Sequence, residues 1–266
     1  MLIAQISDMH IRAPGKLLFR RIDTAGFLER AVAHVNALDP RPDVVLATGD
    51  LVESGKPEEY ARLRQLLAPL AMPVYVIPGN HDARDALRAA FPDHTYLPRS
   101  GFVQYAIDGL PLRLIALDTL VEGKHHGELC LERLDWLQAR LAENDRPTVL
   151  FMHHPPFACG IDAFDRTRVD EGSRQLEVLI RRHGNVERVL CGHVHRPIQV
   201  CFAGTMASIA PSTAHQATLD LHADAPLSLM MEPPGVALHL WRPDSGLITH
   251  VSYVGPYEGP QPFRPL

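Results

Sequence analysis

The 266-residue chain contains no CxxC pair, and its four cysteines, Cys130, Cys159, Cys191 and Cys201, are scattered. A chain of this size needs no disulfide staples, so reduced thiols are expected. No apolar run approaches the roughly 18 residues of a membrane-spanning helix, and no membrane partner is expected. A basic excess is missing too: 26 Lys and Arg stand against 31 Asp and Glu, a formal net charge of -5. Without a clustered basic surface nothing neutralises a phosphate backbone, so a nucleic-acid polymer is not an expected partner. The first residues, MLIAQISDMH, carry no basic segment ahead of the apolar ones. A secretory signal is therefore not indicated, and a cytoplasmic location is expected.

Hydrophobic residues make up 46% of the chain and charged residues 21%, an ordinary globular composition. The length suits one large α/β domain, placed at 1–255. Apolar runs first alternate with segments of helical period. LIAQIS (2–7) precedes TAGFLERAVAHVNAL (24–38), in which Leu28, Ala31, Val35 and Leu38 share a face. VVLAT (44–48) precedes PEEYARLRQLLAPL (57–70), with Pro57 in the first turn, and VYVI (74–77) precedes ARDALRAAF (83–91). Such alternation predicts crossover units and a sheet covered on both faces. Residues 102–109 and 112–119 are joined so briefly that they must pair antiparallel. A helix follows with Cys130, Leu134, Leu137 and Leu141 in phase, then a strand at 148–153, a helix near 173–183, and strands at 186–193, 198–203, 236–241 and 247–254. The predicted sheet is mixed and doubled into two layers. Stretches 158–171 and 205–235 lack regular period and are assigned to a lid, substrate selection or assembly. Residues 256–266, PYEGPQPFRPL, read as a Pro-rich tail.

Polar residues gather after each apolar run: Asp8 and His10, Asp50, Asn80 and His81, His153 and His154, His193 and His195. The carboxyl ends of strands in open α/β sheets converge on one crevice, so residues far apart in sequence can meet there. Each has an ordinary alternative: Asp8 or Asp50 as a helix cap, a lone histidine as a hydrogen-bonded core residue, Asn80 as turn chemistry. The pairs at 8/10 and 193/195 are harder to dismiss, because side chains two apart on an extended segment face one side. Together the set offers two carboxylates, an amide oxygen and four or five imidazoles, donors suited to divalent Fe, Mn, Co or Zn. Seven ligands exceed what one catalytic ion can use while keeping a position open. They suit two ions sharing a carboxylate.

DxH at 8–10, GD at 49–50, GNHD at 79–82, the histidine at 153 and GHVH at 192–195 resemble, in order and spacing, the calcineurin-like metallophosphoesterases. GDLVESGKPEEY, IPGNHDAR, FMHHPPF and PSTAHQ look most like the branch containing bacterial glycerophosphodiesterase and class III cyclic-nucleotide phosphodiesterases. The resemblance implies a four-layer α/β/β/α sandwich of two mixed sheets with a small irregular cap or oligomerisation segment, and a homo-oligomer, dimer or higher. It puts Asp8, His10, Asp50 and His195 on a first ion and Asp50, Asn80, His153 and His193 on a second, with Asp50 bridging. Strand alternation does not separate His153 from His154. The resemblance selects His153 and leaves His154 as an orienting partner. It also gives His81 contact with the substrate phosphate and a part in the departure of the leaving group.

The expected reaction is hydrolysis of a small phosphodiester, a glycerophosphodiester or a 3',5'-cyclic nucleotide, by attack of a metal-bound hydroxide. Help from His81 as a general acid is worth on the order of 10²–10⁴-fold. Asn80 is expected to lie beside the same phosphate. His215, in PSTAHQ, is a further phosphate-contact candidate, with a plain loop hydrogen bond as its alternative. Arg84 is expected to pair with Asp85 or Asp82, Asp82 to cap the next helix or orient His81, and Cys191 to lie in the core. The alternative functions are a phosphomonoesterase or nucleotidase, and a non-catalytic scaffold of the same fold. GDLVESG departs from the GDxxDRG form of protein phosphatases, and every ligand position is filled, which argues against a scaffold.

Overall fold

The computed structural model describes residues 1–263; the last three residues of the expected tail, 264–266, lie outside the described residues. In chain order the elements are β1 (Leu2–Ile6), α1 (Thr24–Ala37), β2 (Val44–Thr48), α2 (Pro57–Leu67), β3 (Val74–Ile77), α3 (Arg84–Ala90), β4 (Tyr105–Ile107), β5 (Arg113–Ala116), α4 (Leu131–Leu141), β6 (Thr148–Phe151), α5 (Asp162–Asp165), α6 (Ser173–Arg182), β7 (Val186–Cys191), β8 (Ile198–Phe202), β9 (Thr205–Ile209), β10 (Gln216–Ala217), β11 (Leu229–Met230), β12 (Gly235–Arg242) and β13 (Gly246–Tyr253). Asp23 caps α1, its carboxylate accepting from the Gly26 N–H at 3.0 Å. Pro57 opens α2, where its missing N–H costs nothing.

Two mixed sheets result, one ordered β13-β12-β1-β2-β3 and the other β4-β5-β6-β7-β9-β8, with β10-β11 as a separate small ribbon. Within them β1-β2-β3 and β5-β6-β7-β9 run parallel, while β12, β13, β4 and β8 add antiparallel neighbours. Side-chain alternation stacks the layers. Ala4, Ile6, Val45, Ala47 and Val76 face α1 and α2, whereas Ile3, Val44, Leu46 and Ile77 face the other sheet. In that sheet Leu114, Val149, Phe151 and Leu190 face inward, and Ile115, Leu150, Val189 and Cys191 pack under α4 and α6. The outcome is helices, sheet, sheet, helices, the four-layer sandwich that the sequence motifs imply.

The layer between the sheets also holds a polar chain. Gln5 donates to Thr48 Oγ1 and to the Cys191 carbonyl, each at 2.9 Å, linking the two sheets. Its Oε1 meets His239 Nε2 at 3.1 Å; His239 Nδ1 meets Thr249 Oγ1 at 2.9 Å, and Thr249 accepts from Arg188 at 3.0 Å. Buried polar groups are tolerated when partnered in this way.

Stretch 205–235, expected to be irregular, contains β9, β10 and β11, and 158–171 contains the one-turn α5. β9 pairs antiparallel with β8 across a two-residue turn at Ala203 (φ 54°) and Gly204 (φ 87°), both left-handed as a type I′ hairpin requires. Ala-Gly is a weak signature for that turn, and TMASI has too few large apolar residues to read as a strand. The four cysteines are free. Among the described residues no helix is long and apolar enough to cross a membrane.

Candidate metal centre

The candidate ligands leave the carboxyl ends of five strands: Asp8 and His10 after β1, Asp50 after β2, Asn80 after β3, His153 after β6, and His193 and His195 after β7. The segments carrying them are not extended, which corrects the expectation that paired ligands share one face of a strand. Asp8 (φ 54°), His10 (φ 45°), Asp50 (φ 46°), His193 (φ 71°) and His195 (φ 56°) all take left-handed backbone, at a cost on the order of 1–3 kcal/mol each. The chain curls back, and both members of a pair reach the same place. Asp8 N–H donating to the Gly49 carbonyl at 3.1 Å and His10 N–H to the Asp50 carbonyl at 3.0 Å hold the curl. Close approach explains the preceding glycines. A Cβ on Gly79 would lie 2.3 Å from Asp50 Oδ1, and one on Gly192 2.1 Å from Ser7 Oγ.

One half of the centre gathers Asp8, His10, Asp50 and His195, whose ligand atoms lie within 4.8 Å of one another. His10 Nε2 is 3.1 Å from His195 Nε2 and 3.7 Å from Asp50 Oδ2; His195 Nε2 is 3.4 Å from Asp8 Oδ1. The outer nitrogens are engaged, His10 Nδ1 with Glu53 Oε2 at 2.8 Å and His195 Nδ1 with the His215 carbonyl at 3.0 Å. With acceptors on both Nδ1 atoms, each ring in its neutral form aims an Nε2 lone pair at the other. Such an arrangement fits a cation held in common, oriented as metal-binding histidines usually are.

In the other half His153 Nε2 lies 3.3 Å from Asp50 Oδ2 and 3.2 Å from Asn80 Oδ1, while its Nδ1 meets the Thr48 carbonyl at 2.8 Å. His193 packs edge-on to His153 at 5.2 Å between ring centroids, and its Nε2 meets Thr167 Oγ1 at 2.8 Å, leaving Nδ1 as its free nitrogen. Asp50 Oδ2 thus stands between the two halves. His154 packs against both His153 and His193, yet its Nδ1 meets Thr119 Oγ1 and its Nε2 the His125 carbonyl. Neither of its nitrogens is spare.

Burial raises the Asp8 carboxyl to about 6, against the pull of His153. Burial would raise Asp50 too, but the imidazoles of His153, His81 and His10 hold it well below the ordinary range. Reciprocally, His153 is raised to about 9, because Asp50 outweighs the desolvation that would lower it. His10 is raised as well, its burial outweighed by Glu53 and Asp50. In the other histidines of the site burial prevails, with neighbouring histidines adding to it: His195 falls to about 3, His215 to about 2, and His154 and His193 well below the usual imidazole range. Divalent metals require neutral imidazoles and ionised carboxylates of their ligands, so a metal bound here would displace the proton that Asp50 favours on His153.

His81 projects from the rim. Its N–H donates to Asp50 Oδ1 at 2.9 Å and its Nδ1 to the Glu53 carbonyl at 2.9 Å, which leaves Nε2 free. Two expectations are corrected nearby. Asp82 neither caps α3 nor touches His81; it accepts from Gly79 N–H, Leu51 N–H and Tyr60 O–H at 2.8, 3.0 and 2.8 Å, tying the β2 and β3 loops together. Arg84 pairs with neither Asp85 nor Asp82. It makes a two-pronged contact with Asp118 at 2.7 and 3.0 Å, a partner contributed by the loop after β5. Sequence reading also missed Glu53 and Thr167. Glu53 follows Asp50 by three residues on the same loop, a signal that could have found it; Thr167 lies in an aperiodic stretch that offers none.

His215 stacks obliquely on His195 at 4.7 Å and on His10 at 5.6 Å, and its buried Nδ1 has no hydrogen-bond partner among the described residues. It lines a cleft of about 470 Å³ that opens over the centre and is also bordered by His81, Asn80, Glu53 and His125.

The calcineurin-like phosphoesterase family model matches residues 1–197. The chain is 39% identical over 264 residues to "Probable glycerophosphodiester phosphodiesterase GpdQ" of Arcobacter nitrofigilis, covering 99% of this chain and 97% of that one. It is 36% identical to "Probable cyclic nucleotide phosphodiesterase RPA0124" of Rhodopseudomonas palustris, over 96% and 93% of the two chains. Its fold is similar to that of a dimetal phosphatase from Danio rerio, with a TM-score of 0.65, 15% identity, and coverage of 96% and 99%. The chain belongs to the calcineurin-like phosphoesterase family, whose members use divalent metals.

Proposed function

We propose that the protein is a phosphodiesterase that binds two divalent ions and hydrolyses small phosphodiesters, glycerophosphodiesters or 3',5'-cyclic nucleotides. The observation that carries this reading is the position of Asp50 Oδ2, 3.7 Å from His10 Nε2 and 3.3 Å from His153 Nε2, within reach of both donor sets. In the proposal Asp8, His10, Asp50 and His195 hold one ion, and Asp50, Asn80, His153 and His193 the other, Fe, Mn, Zn or Co. When bound, such ions acidify water and draw charge from phosphoryl oxygens.

The chain's own residues do the rest. Asp50 fixes the centre and, through Oδ1, the backbone of His81. His81 keeps its Nδ1–H on the Glu53 carbonyl, so when the ring carries a second proton that proton sits on Nε2, placed to be donated to the phosphoryl group or to the departing ester oxygen. Asn80 contributes a neutral amide where a third carboxylate would repel the phosphate. His215 offers a neutral ring at the edge of the cleft, suited to a phosphate contact. A diester is favoured over a monoester because, among the described residues, no lysine or arginine lines the cleft to balance a second negative charge. The names of the two relatives agree with that choice.

Free cysteines suit a cytoplasmic setting. Leu219, Leu221, Leu227 and Met231, each more than half exposed in the segment after β9, suit an assembly surface and hence a homo-oligomer, which sedimentation would test. The functional test is metal content measured together with rates on a chromogenic phosphodiester, the matching monoester, a glycerophosphodiester and cyclic AMP. Diester turnover above monoester turnover is expected, with about half the metal content and little turnover in Asn80→Ala. A monoester preference would overturn the diester assignment, and unchanged occupancy in the variant would overturn the role of Asn80.

A further inference from the structure

The cleft above the centre is walled by Leu18, Phe19, Ala163, Phe164, Leu227 and Leu229. Its two phenyl rings stand over opposite halves of the centre. Phe19 lies edge-on to His215 at 6.3 Å, and His215 packs on His195 and His10. Phe164 lies edge-on to His193 at 5.5 Å. A phosphate held between the halves therefore has an aromatic wall on each side.

Both rings are held in place, Phe19 at some cost. Phe19 is 60% exposed, and its backbone is left-handed at φ 48°, at the tip of a turn closed by reciprocal 2.9 Å bonds between Leu18 and Ile22. Strained backbone that presents an aromatic ring to solvent gains nothing from core packing, and such strain concentrates where ligands are gripped. Phe164 rides on α5, which is fastened to the segment after β9 by the Arg166–Asp224 ion pair and by Asp224 N–H donating to Asp162 at 3.0 Å. The same walls offer a polyol arm few partners and a flat ring a large apolar contact.

Resting on the phosphodiesterase reading above, we propose that the preferred substrates carry an aromatic group, aryl or nucleobase, on the ester arm that stays on phosphorus when the other departs, and that this arm packs against Phe19 or Phe164. The test uses metal-loaded protein and four 4-nitrophenyl diesters whose second arm is methyl, 2,3-dihydroxypropyl, phenyl or thymidin-5'-yl. Rates are corrected for the spontaneous hydrolysis of each ester, and metal content is measured in every preparation. kcat/KM for the phenyl or thymidinyl ester is expected to exceed that for the other two by about tenfold or more. The excess should shrink in Phe19→Ala and in Phe164→Ala when compared at equal metal content. Calorimetry should show diphenyl phosphate binding more tightly than dimethyl phosphate, a readout independent of turnover. A preference shown by only one of the two ring-bearing esters identifies the arm as aryl or nucleoside and supports the proposal. Equal kcat/KM across the four esters, or a preference untouched in both variants, overturns it and leaves the diester reading standing. Absence of turnover on all four overturns both.

Discussion

Glu53 touches two histidines at once: its carboxylate meets His10 Nδ1 at 2.8 Å and its carbonyl meets His81 Nδ1 at 2.9 Å. Thr167 performs the matching task for His193. Partners that orient metal-binding histidines are typically worth about 10–100-fold in metal affinity. Glu53→Gln is therefore expected to weaken the ion proposed for His10, and Thr167→Val the ion proposed for His193, each by roughly that factor in a chelator competition. Unchanged affinity in either variant would show that its hydrogen bond does not orient the ring. At this scale the sequence was informative about which residues meet and uninformative about how. Asp8, His10, Asp50, His193 and His195 come together, but on left-handed backbone that no strand periodicity predicts. Beyond Gly79 on its own loop, Asp82 meets Leu51 and Tyr60, and Arg84 meets Asp118, partners that only the fold brings near.

Among the elements, the parallel strands were legible because burial on both faces makes them continuous apolar runs. β9 was not. It lies between β7 and β8 with small and polar residues, and its hairpin turns on Ala203-Gly204 in place of the stronger Asn-Gly signal. β12 was legible as a strand, but its role between the sheets was not, since His239 looks like any other strand residue. In the fold it is fully buried, and burial followed by the nearby Arg188 cation lowers its pKa to about 3. The unfolded chain takes up a proton near the ordinary value of 6.5, whereas the folded ring stays neutral until about pH 3. The contribution of this residue to stability is thus complete above the unfolded value and is lost as the pH falls towards the folded one. His239→Gln should flatten the dependence of unfolding free energy on pH near pH 5 by about 1.4 kcal/mol per pH unit, the effect of one proton. Urea titrations at several pH values measure it, and an unaltered slope would mean that the ring is already charged in the fold.

For the whole molecule, the arrangement matters more than any single motif. The two sheets of the sandwich deliver the proposed ligands from β1, β2 and β3 on one side and β6 and β7 on the other, so the proposed centre forms only when the sheets are docked. Asp50 is the hinge of that arrangement, lying at the end of a first-sheet strand and 3.3 Å from a histidine of the second sheet. The most direct test of a shared centre is electron paramagnetic resonance of the protein titrated with Mn(II). Two equivalents per chain should yield an exchange-coupled multiline spectrum in the wild type, reduced in Asn80→Ala to the six-line signal of an isolated ion. An isolated six-line signal in the saturated wild-type protein, with full phosphodiesterase activity, would contradict a centre bridged by Asp50.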